Sequence, residues 1–490
     1  MTTKRIVEDK FISHTITRIH NLKTTTFRAK VEIDGKADSI TGVLKKNSPV
    51  GYRLTCYKDG HGFGGEIAPP AVLKYRHHDI RVDNLWENRH GERINSERKK
   101  CFHFWKMVVG EFEIGRNPTT TPCYLRTVIP LSNEFNWKHI FELNRLKSDC
   151  CGMTSGLLQI TIAGLNFDVY PIDRNQDHYL VVDGCQPMEL EVFRQYCWLI
   201  NVGISFFNSQ LCQDEQFIFC YSESTMQSPF FLFYESLRPT ITSIYHPTTS
   251  NAASWLRDDV HLYNEYKGRV KPVTMSMLNH LCNLIYRHES ILIAILLLIE
   301  SKRASMLMMP AGFAIILEGL ATLFEDLFPE ATSPIKDRTI ARKIRTDLLD
   351  VLSNYEGNEV VNTEILKKKI ESINSPTNKD RLKIPFQLLN IPLFPEDEKA
   401  LNYRNELLHG NVGLAPLKKE IEMKELELAM RLLTLANAII LKLIGYDGWS
   451  VNHAKTQEGG IGRFIDEPYY RDLGGFGNIH PSLIKWMQTQ

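Results

Sequence analysis

The hydrophobic pattern of this chain changes about halfway along, and that change restricts the possible folds more than any other feature. Up to about residue 235, short runs of β-branched and aromatic residues are separated by Gly, Pro or Asn. From Thr274 to about Ile444, apolar residues recur three and four positions apart instead. The sequence therefore predicts an α+β protein in which a β-rich domain is followed by an all-α helical bundle.

The β-rich domain is predicted over residues 1–240, with a sandwich or barrel-like fold and helical additions. Strands are expected from about residue 10 onwards. Thr25 to Ile33 is rich in β-branched residues, and the Asp34-Gly35 pair that follows is typical of a tight turn between two strands. One helix is predicted at Pro187 to Val202. Further strands are predicted at 52–57, 106–114, 157–162, 179–182 and 216–221.

The helical domain is predicted over residues 271–446. Pro, Thr and Ser dominate residues 238–254, which is typical of a boundary, so residues 241–270 are assigned to a linker. Residues 447–490 are rich in Gly and lack a strong period, so they are predicted to form an extended tail that packs over another surface. Within the domain, helices are predicted at 291–299, 337–355, 362–373, 380–389, 395–409 and 416–444.

The charge balance excludes a protein that is basic as a whole. Lys and Arg number 58 against 57 Asp and Glu, for a net charge of +1, so any contact with nucleic acid has to depend on a local patch. The N-terminal residues lack the apolar core of a secretory signal, and the run Ile291 to Ile299 is too short to cross a membrane, which takes about 20 residues. The ten cysteines show no C-x-x-C spacing and are predicted to be reduced, buried thiols. We therefore expect a cytoplasmic protein with no membrane association, no metal and no other cofactor.

The stretch LNYRNELLHG, Leu401 to Gly410, carries most of the chemistry. On a helix, Asn405 and His409 lie one turn apart on the same face, and Arg404 converges with them only through its long side chain. Histidine is an acid or base near neutral pH, arginine binds phosphate through its planar fork, and asparagine can hydrogen-bond to ribose. Together they supply what metal-free cleavage of RNA requires, with the 2′-hydroxyl of the RNA as the nucleophile.

The spacing alone is not specific. Arg98 and His103 have the same separation, but they lie in the β-rich half, in a basic run, and no Asn follows the Arg. On the residues alone, Arg404 and His409 are equally compatible with ordinary polar positions on a surface helix.

The motif Arg404 to Gly410, ahead of a long terminal helix, resembles the HEPN superfamily, whose pattern is Arg, four to six residues and then His, commonly with a polar residue such as Asn after the Arg. It is most similar to the ApeA-like HEPN group of bacterial anti-phage defence proteins, in which a β-rich N-terminal domain precedes the helical one. Phe313 to Leu320 is similar to the apolar helix with an embedded glutamate, here Glu318, that many of these proteins carry. The resemblance covers about residues 270–446, and the N-terminal half only in architecture.

The resemblance implies that Arg404, Asn405 and His409 form the site of an endoribonuclease. HEPN ribonucleases are typically dimers in which two motifs face each other, so a homodimer or higher homo-oligomer would supply two histidines, a base and an acid. The implied substrate is RNA, either tRNA or mRNA, and the implied role is abortive infection, with a phage protein as the trigger that the N-terminal domain senses. The alternative is a non-catalytic helical interaction or sensor module that binds a protein or nucleotide partner, with Arg404 and His409 in its dimer interface.

Overall fold

The chain divides into two compact units in a computed structural model. The first comprises residues 1–242 and 274–283, and the second comprises residues 243–273 and 284–490. The structure describes the whole chain except residues 1–8, 34–35, 48–49, 60–69, 77, 96–99, 119–120, 132–139, 142–143, 146–155, 175, 243–245, 249–263, 306–307, 356–361, 409–418, 457–464, 476, 478 and 490.

The first unit is β-rich, as the sequence predicts. Its strands, with the two helices that accompany them, are α1 (Asp9–Thr24), β1 (Phe27–Ile33), β2 (Lys36–Lys46), β3 (Tyr52–Asp59), β4 (Ala71–Tyr75), β5 (His78–Asn95), β6 (Lys100–Gly115), β7 (Tyr124–Leu131), β8 (Asn144–Arg145), β9 (Gly156–Ile162), β10 (Leu165–Arg174), β11 (Asp177–Gly184), α2 (Leu190–Asn208), β12 (Gln210–Leu211), β13 (Glu215–Tyr221), β14 (Pro229–Ser236) and β15 (Ile241–Thr242).

Six of these strands form a closed barrel. They follow the order β3-β2-β1-β4-β5-β6, and β6 pairs again with β3 to close the ring. The predicted hairpin is present, because β1 and β2 pair with Ile33 opposite Lys36; the predicted turn residues Asp34 and Gly35 lie outside the described residues. Alternate residues of the strands fill the interior, and Val31, Leu54 and Val109 are fully buried.

Strand β6 belongs to the barrel and to the open part of the sheet at the same time. Residues 102–109 pair with β3, whereas residues 111–115 pair with β14. From β14 the described sheet continues through β13, β7, β11, β10, β9 and β8. At the end of β6, Gly115 adopts φ +102° and lies so close to the carbonyl oxygen of Phe230 that a Cβ would approach it to 2.4 Å. Only glycine fits there without strain.

Helix α1 corrects the expectation of strands from residue 10. Ile12, Ile16 and Ile19 recur at helical spacing and are buried in the same core as the barrel strands. The neighbouring Thr15 shares a hydrogen bond of 3.0 Å with the Tyr221 hydroxyl. Charged and polar residues between the isoleucines hide the helical spacing in the sequence. The buried isoleucines pack the helix against the core of the barrel strands.

The second unit is helical. The helices and short strands from residue 275 onwards are α3 (Met275–Arg287), which begins in the first unit, α4 (Glu289–Ser301), α5 (Met308–Leu327), α6 (Pro329–Thr332), α7 (Arg338–Ser353), α8 (Thr363–Glu371), α9 (Asn378–Leu389), α10 (Pro395–Leu408), α11 (Lys419–Leu443), β16 (Trp449–Val451), β17 (Tyr470–Asp472) and α12 (Pro481–Thr489). The predicted helices match these bounds to within a few residues wherever the chain is described. The predicted end of α10 at His409 and start of α11 at Pro416 lie outside the described residues.

Helix α5 is the centre of the helical unit. It packs against α4, α9, α10 and α11, and its buried residues include Phe313, Leu317, Leu320 and Phe324. Among the described residues, α5 is the one helix with the length and apolar composition to cross a membrane, and 56% of that apolar window is buried inside the protein; α3 and α4 pass the same test only if they count as one span bent by 110°.

The C-terminal segment is not the extended tail that its glycines suggested. It forms β16, β17 and α12, and β16 pairs antiparallel with β17. Tyr470 is buried against Tyr266, with ring centroids 5.1 Å apart. Apolar and aromatic residues between the glycines provide this packing, which a search for a regular period does not detect.

Candidate functional site

The helix that carries the sequence motif, α10, begins with a well-defined N-terminus. Pro395 opens the helix, and Glu396, Asp397 and Glu398 lie in its first turn, where carboxylates interact favourably with the helix dipole. The backbone N–H of Phe394 donates to Asp397 Oδ2 at 2.8 Å, which satisfies a donor that the helix leaves unpaired. The sequence therefore specifies where this helix starts.

Asp397 is completely buried and forms a bidentate ion pair with Arg471. The Arg471 Nη1 and Nη2 atoms donate to the two carboxylate oxygens at 3.1 and 2.6 Å. Arg471 also lies over the ring of Phe394, 4.2 Å from its centroid, and donates to the carbonyl oxygen of Pro392. A residue in β17 thus fixes the start of the motif helix.

Arg431 of α11 extends this network. Its Nη1 lies 3.6 Å from Asp397 Oδ1 and donates to Glu467 at 2.7 Å, while its Nε donates to Glu427 at 2.9 Å. Burial alone would lower the pKa of Arg431, but the hydrogen bonds and charges of Glu467 and Glu427 outweigh burial and raise it. Arg431 therefore remains a cation that joins α10, α11 and the C-terminal segment.

The motif residues follow this anchor on the same helix. Arg404 comes seven residues after Asp397, about two helical turns, and Asn405 comes next; both lie in the last two turns of α10. Ala400 and Leu401, between the anchor and the motif, are buried. The side chains of Arg404 and Asn405 lie outside the described part of the structure, and so does all of His409. Their convergence stays a prediction.

Glu318, the glutamate within the apolar stretch Phe313 to Leu320, lies on α5, which packs against α10. It is half-buried, and its backbone carbonyl accepts a hydrogen bond from the Thr322 hydroxyl at 3.0 Å.

A second polar cluster in the helical unit was not predicted from the sequence. His453 is buried, and its pKa is held well below the usual value by burial and then by the nearby Lys302 and His246. The Asn437 side-chain amide donates to His453 Nε2 at 3.0 Å, and the His453 backbone N–H donates to the Thr434 hydroxyl. Burial lowers the pKa of Lys302 to about 7. Because Lys302 and His453 are far apart in the chain, no local pattern could have paired them.

The described cysteines agree with the prediction of reduced thiols. Cys56, Cys123, Cys185, Cys197, Cys212, Cys220 and Cys282 are free, and all except the half-buried Cys185 are buried. Burial raises the pKa of the Cys56 thiol to about 12 and does the same for Cys282, so neither is a thiolate near neutral pH.

The architecture is that of a β-rich N-terminal region with a six-stranded barrel and a helical C-terminal region, in which one anchored helix carries Arg404 and Asn405. Comparison of the chain with protein-family models, with curated proteins and with solved structures finds no match.

Proposed function

We propose that this protein is a metal-independent endoribonuclease whose centre contains Arg404, Asn405 and His409. The observation that carries the proposal is the position of Arg404 and Asn405 at the end of α10, a helix whose first turn is held by the buried Asp397–Arg471 pair. A group that binds a phosphate in a transition state must be held on a rigid element, and the anchored first turn of α10 supports the proposal on this ground.

The proposed chemistry needs no group beyond the motif and the RNA. Arg404 binds the scissile phosphate, His409 transfers protons, and Asn405 hydrogen-bonds to the ribose or orients a neighbour. One copy supplies a single motif histidine, whereas 2′-hydroxyl attack requires a base and departure of the 5′-oxygen requires an acid. A dimer in which two motifs face each other supplies both. We further propose, from the resemblance to HEPN defence proteins, that the enzyme acts in the cytoplasm during phage infection.

RNA cleavage in the presence of EDTA tests the reaction. We expect the purified full chain, with its activator if one is required, to leave products that end in a 2′,3′-cyclic phosphate. His409→Ala is expected to reduce the cleavage rate by about 10²–10⁴, the usual contribution of general acid–base catalysis. Arg404→Ala is expected to reduce it to a similar extent.

Matched control variants separate catalysis from damage to the fold. His20→Ala on α1 and Arg28→Ala on β1 remove exposed side chains of the same types from the other unit, and both should cleave at the wild-type rate. Wild-type activity in folded His409→Ala and Arg404→Ala proteins would exclude the motif as the site. In cells, growth arrest that persists with His409→Ala would favour the non-catalytic interaction module.

A further inference from the structure

Helices α7 and α8 form a pair within the helical unit that buries few side chains. The buried residues of α7 are Ala341 and Leu352, and α8 has none. Both helices have good N-caps, since Asp337 accepts from two backbone N–H groups of α7 and Asn362 accepts from one of α8. Local capping and mutual packing therefore account for these helices better than burial in a core does.

The two helices run antiparallel, and one side chain fixes their register. The Ile335 backbone N–H donates to Asn374 Oδ1 at 2.7 Å, and Asn374 Nδ2 donates back to the Ile335 carbonyl at 3.1 Å. Because Ile335 precedes α7 and Asn374 follows α8, the last turn of α8 lies beside the first turns of α7.

This register places cations of α7 near cations of α8. Arg342, Lys343 and Arg345 on α7, and Lys368 and Lys369 on α8, make no ion pair with any residue that the structure describes. Asp347 lies one helical turn beyond Lys343, and Glu371 lies in the last turn of α8, but neither forms an ion pair with these cations in the described part of the chain.

We propose that the exposed cations Arg342, Lys343, Lys368 and Lys369 form a surface that binds the sugar–phosphate backbone of RNA. The inference rests on the proposed ribonuclease function and names where the substrate is held.

The chain has a net charge of +1, so this concentration of unpaired cations is a local feature and not a consequence of overall composition. Ile340 and Ile365, which are about half exposed, lie among the cations and offer aliphatic contacts to ribose and bases. The same apolar residues would also suit a protein partner, and the experiment separates the two.

Binding is measured with a fluorescent 20-nucleotide 2′-O-methyl RNA, which lacks the attacking hydroxyl and therefore reports affinity without cleavage. Each phosphate contact contributes about 0.7 log unit of affinity for a tenfold fall in salt, so two contacts contribute about 1.4 log units between about 1 M and 0.1 M salt. In the full chain, Arg342→Glu with Lys343→Glu should therefore weaken binding by about 25-fold near 0.1 M salt. The slope of log affinity against log salt should fall by about 1.4. The control, Arg28→Glu with Lys30→Glu on exposed positions of β1, makes the same change in charge and should bind as the wild type does.

Equal affinity in the α7 variant and the wild type would overturn the inference, as would equal loss in the α7 and control variants. Unchanged RNA affinity together with a shift in oligomeric mass would assign the surface to a protein partner instead, which also overturns it. The two proposals fail separately. If the enzyme cleaves RNA and the α7 variant has an unchanged KM for RNA, only the proposed binding surface is refuted. If RNA binding depends on Arg342 and Lys343 but the protein cleaves no RNA, only the proposed ribonuclease activity is refuted.

Discussion

Replacing Asp397 by Asn should loosen the motif helix. Asp397 is completely buried and accepts hydrogen bonds from Arg471 and from the Phe394 backbone. The amide keeps the shape but removes the charge, so Arg471, whose side chain is 5% exposed, remains buried without its counter-ion. Removing one partner of a buried pair costs about 3–5 kcal/mol. Arg431 keeps Glu467 and Glu427, which limits the loss to the Asp397–Arg471 pair.

Amide hydrogen exchange followed by mass spectrometry measures this loss locally, on peptides from α10, which matters because a chain of two units has no single unfolding transition. The control is Glu398→Gln in the same turn. Glu398 is about half exposed and pairs with Lys383 at 2.6 Å, so its loss should cost about 0–1 kcal/mol.

A double-mutant cycle completes the test. Combining Asp397→Leu with Arg471→Met leaves no unpaired buried charge, so the double variant should lose much less stability than the sum of the two single variants, with a coupling of about 2 kcal/mol or more. Protection of α10 that is unchanged in Asp397→Asn, or single losses that simply add, would refute the view that this pair anchors the motif helix.

Three further predictions concern stability. Burial lowers the pKa of Lys302 to about 7 from 10.5, so between these pH values the unfolded chain binds a proton that the folded chain does not, and stability should rise with pH. Lys302→Met should flatten that rise in the thermal midpoint of the helical unit, and an equal slope in both proteins would contradict it. Gly115→Ala should lower the thermal midpoint of the β-rich unit more than Gly164→Ala, because both have positive φ but only Gly115 faces a carbonyl oxygen at contact distance, and equal shifts would exclude this clash. Asp337→Ala should reduce the hydrogen-exchange protection of α7 peptides by about 1 kcal/mol through loss of the N-cap, and unchanged protection would show that the cap contributes nothing.

The local parts of the fold were predictable because their causes are local. Runs of β-branched and aromatic residues predicted β1 and β13, and Pro395 with the acids after it predicted the start of α10, since composition and caps are properties of neighbouring residues. Closure of the barrel was not predictable in this way. Closure depends on the pairing of residues 52–59 with residues 102–109, and the sequence of neither strand indicates which strand it pairs with.

The candidate site shows the same division. The motif itself is a short pattern and could be recognised, but its anchor could not, because Arg471 lies in a glycine-rich segment that gave no periodic signal. Lys302 and His453 were missed for a related reason. Each is an ordinary residue locally, and only tertiary packing places them in one buried cluster.

The separation of Asp397 from Arg471 has a consequence for the chain during its synthesis. The two residues are 74 positions apart, and at about 5–20 residues per second a ribosome needs roughly 4–15 s to travel between them. Throughout that interval the motif helix exists without the arginine that fixes its first turn. A chain interrupted before residue 471 can never acquire it, so incomplete translation products should carry the motif without a rigid support for it.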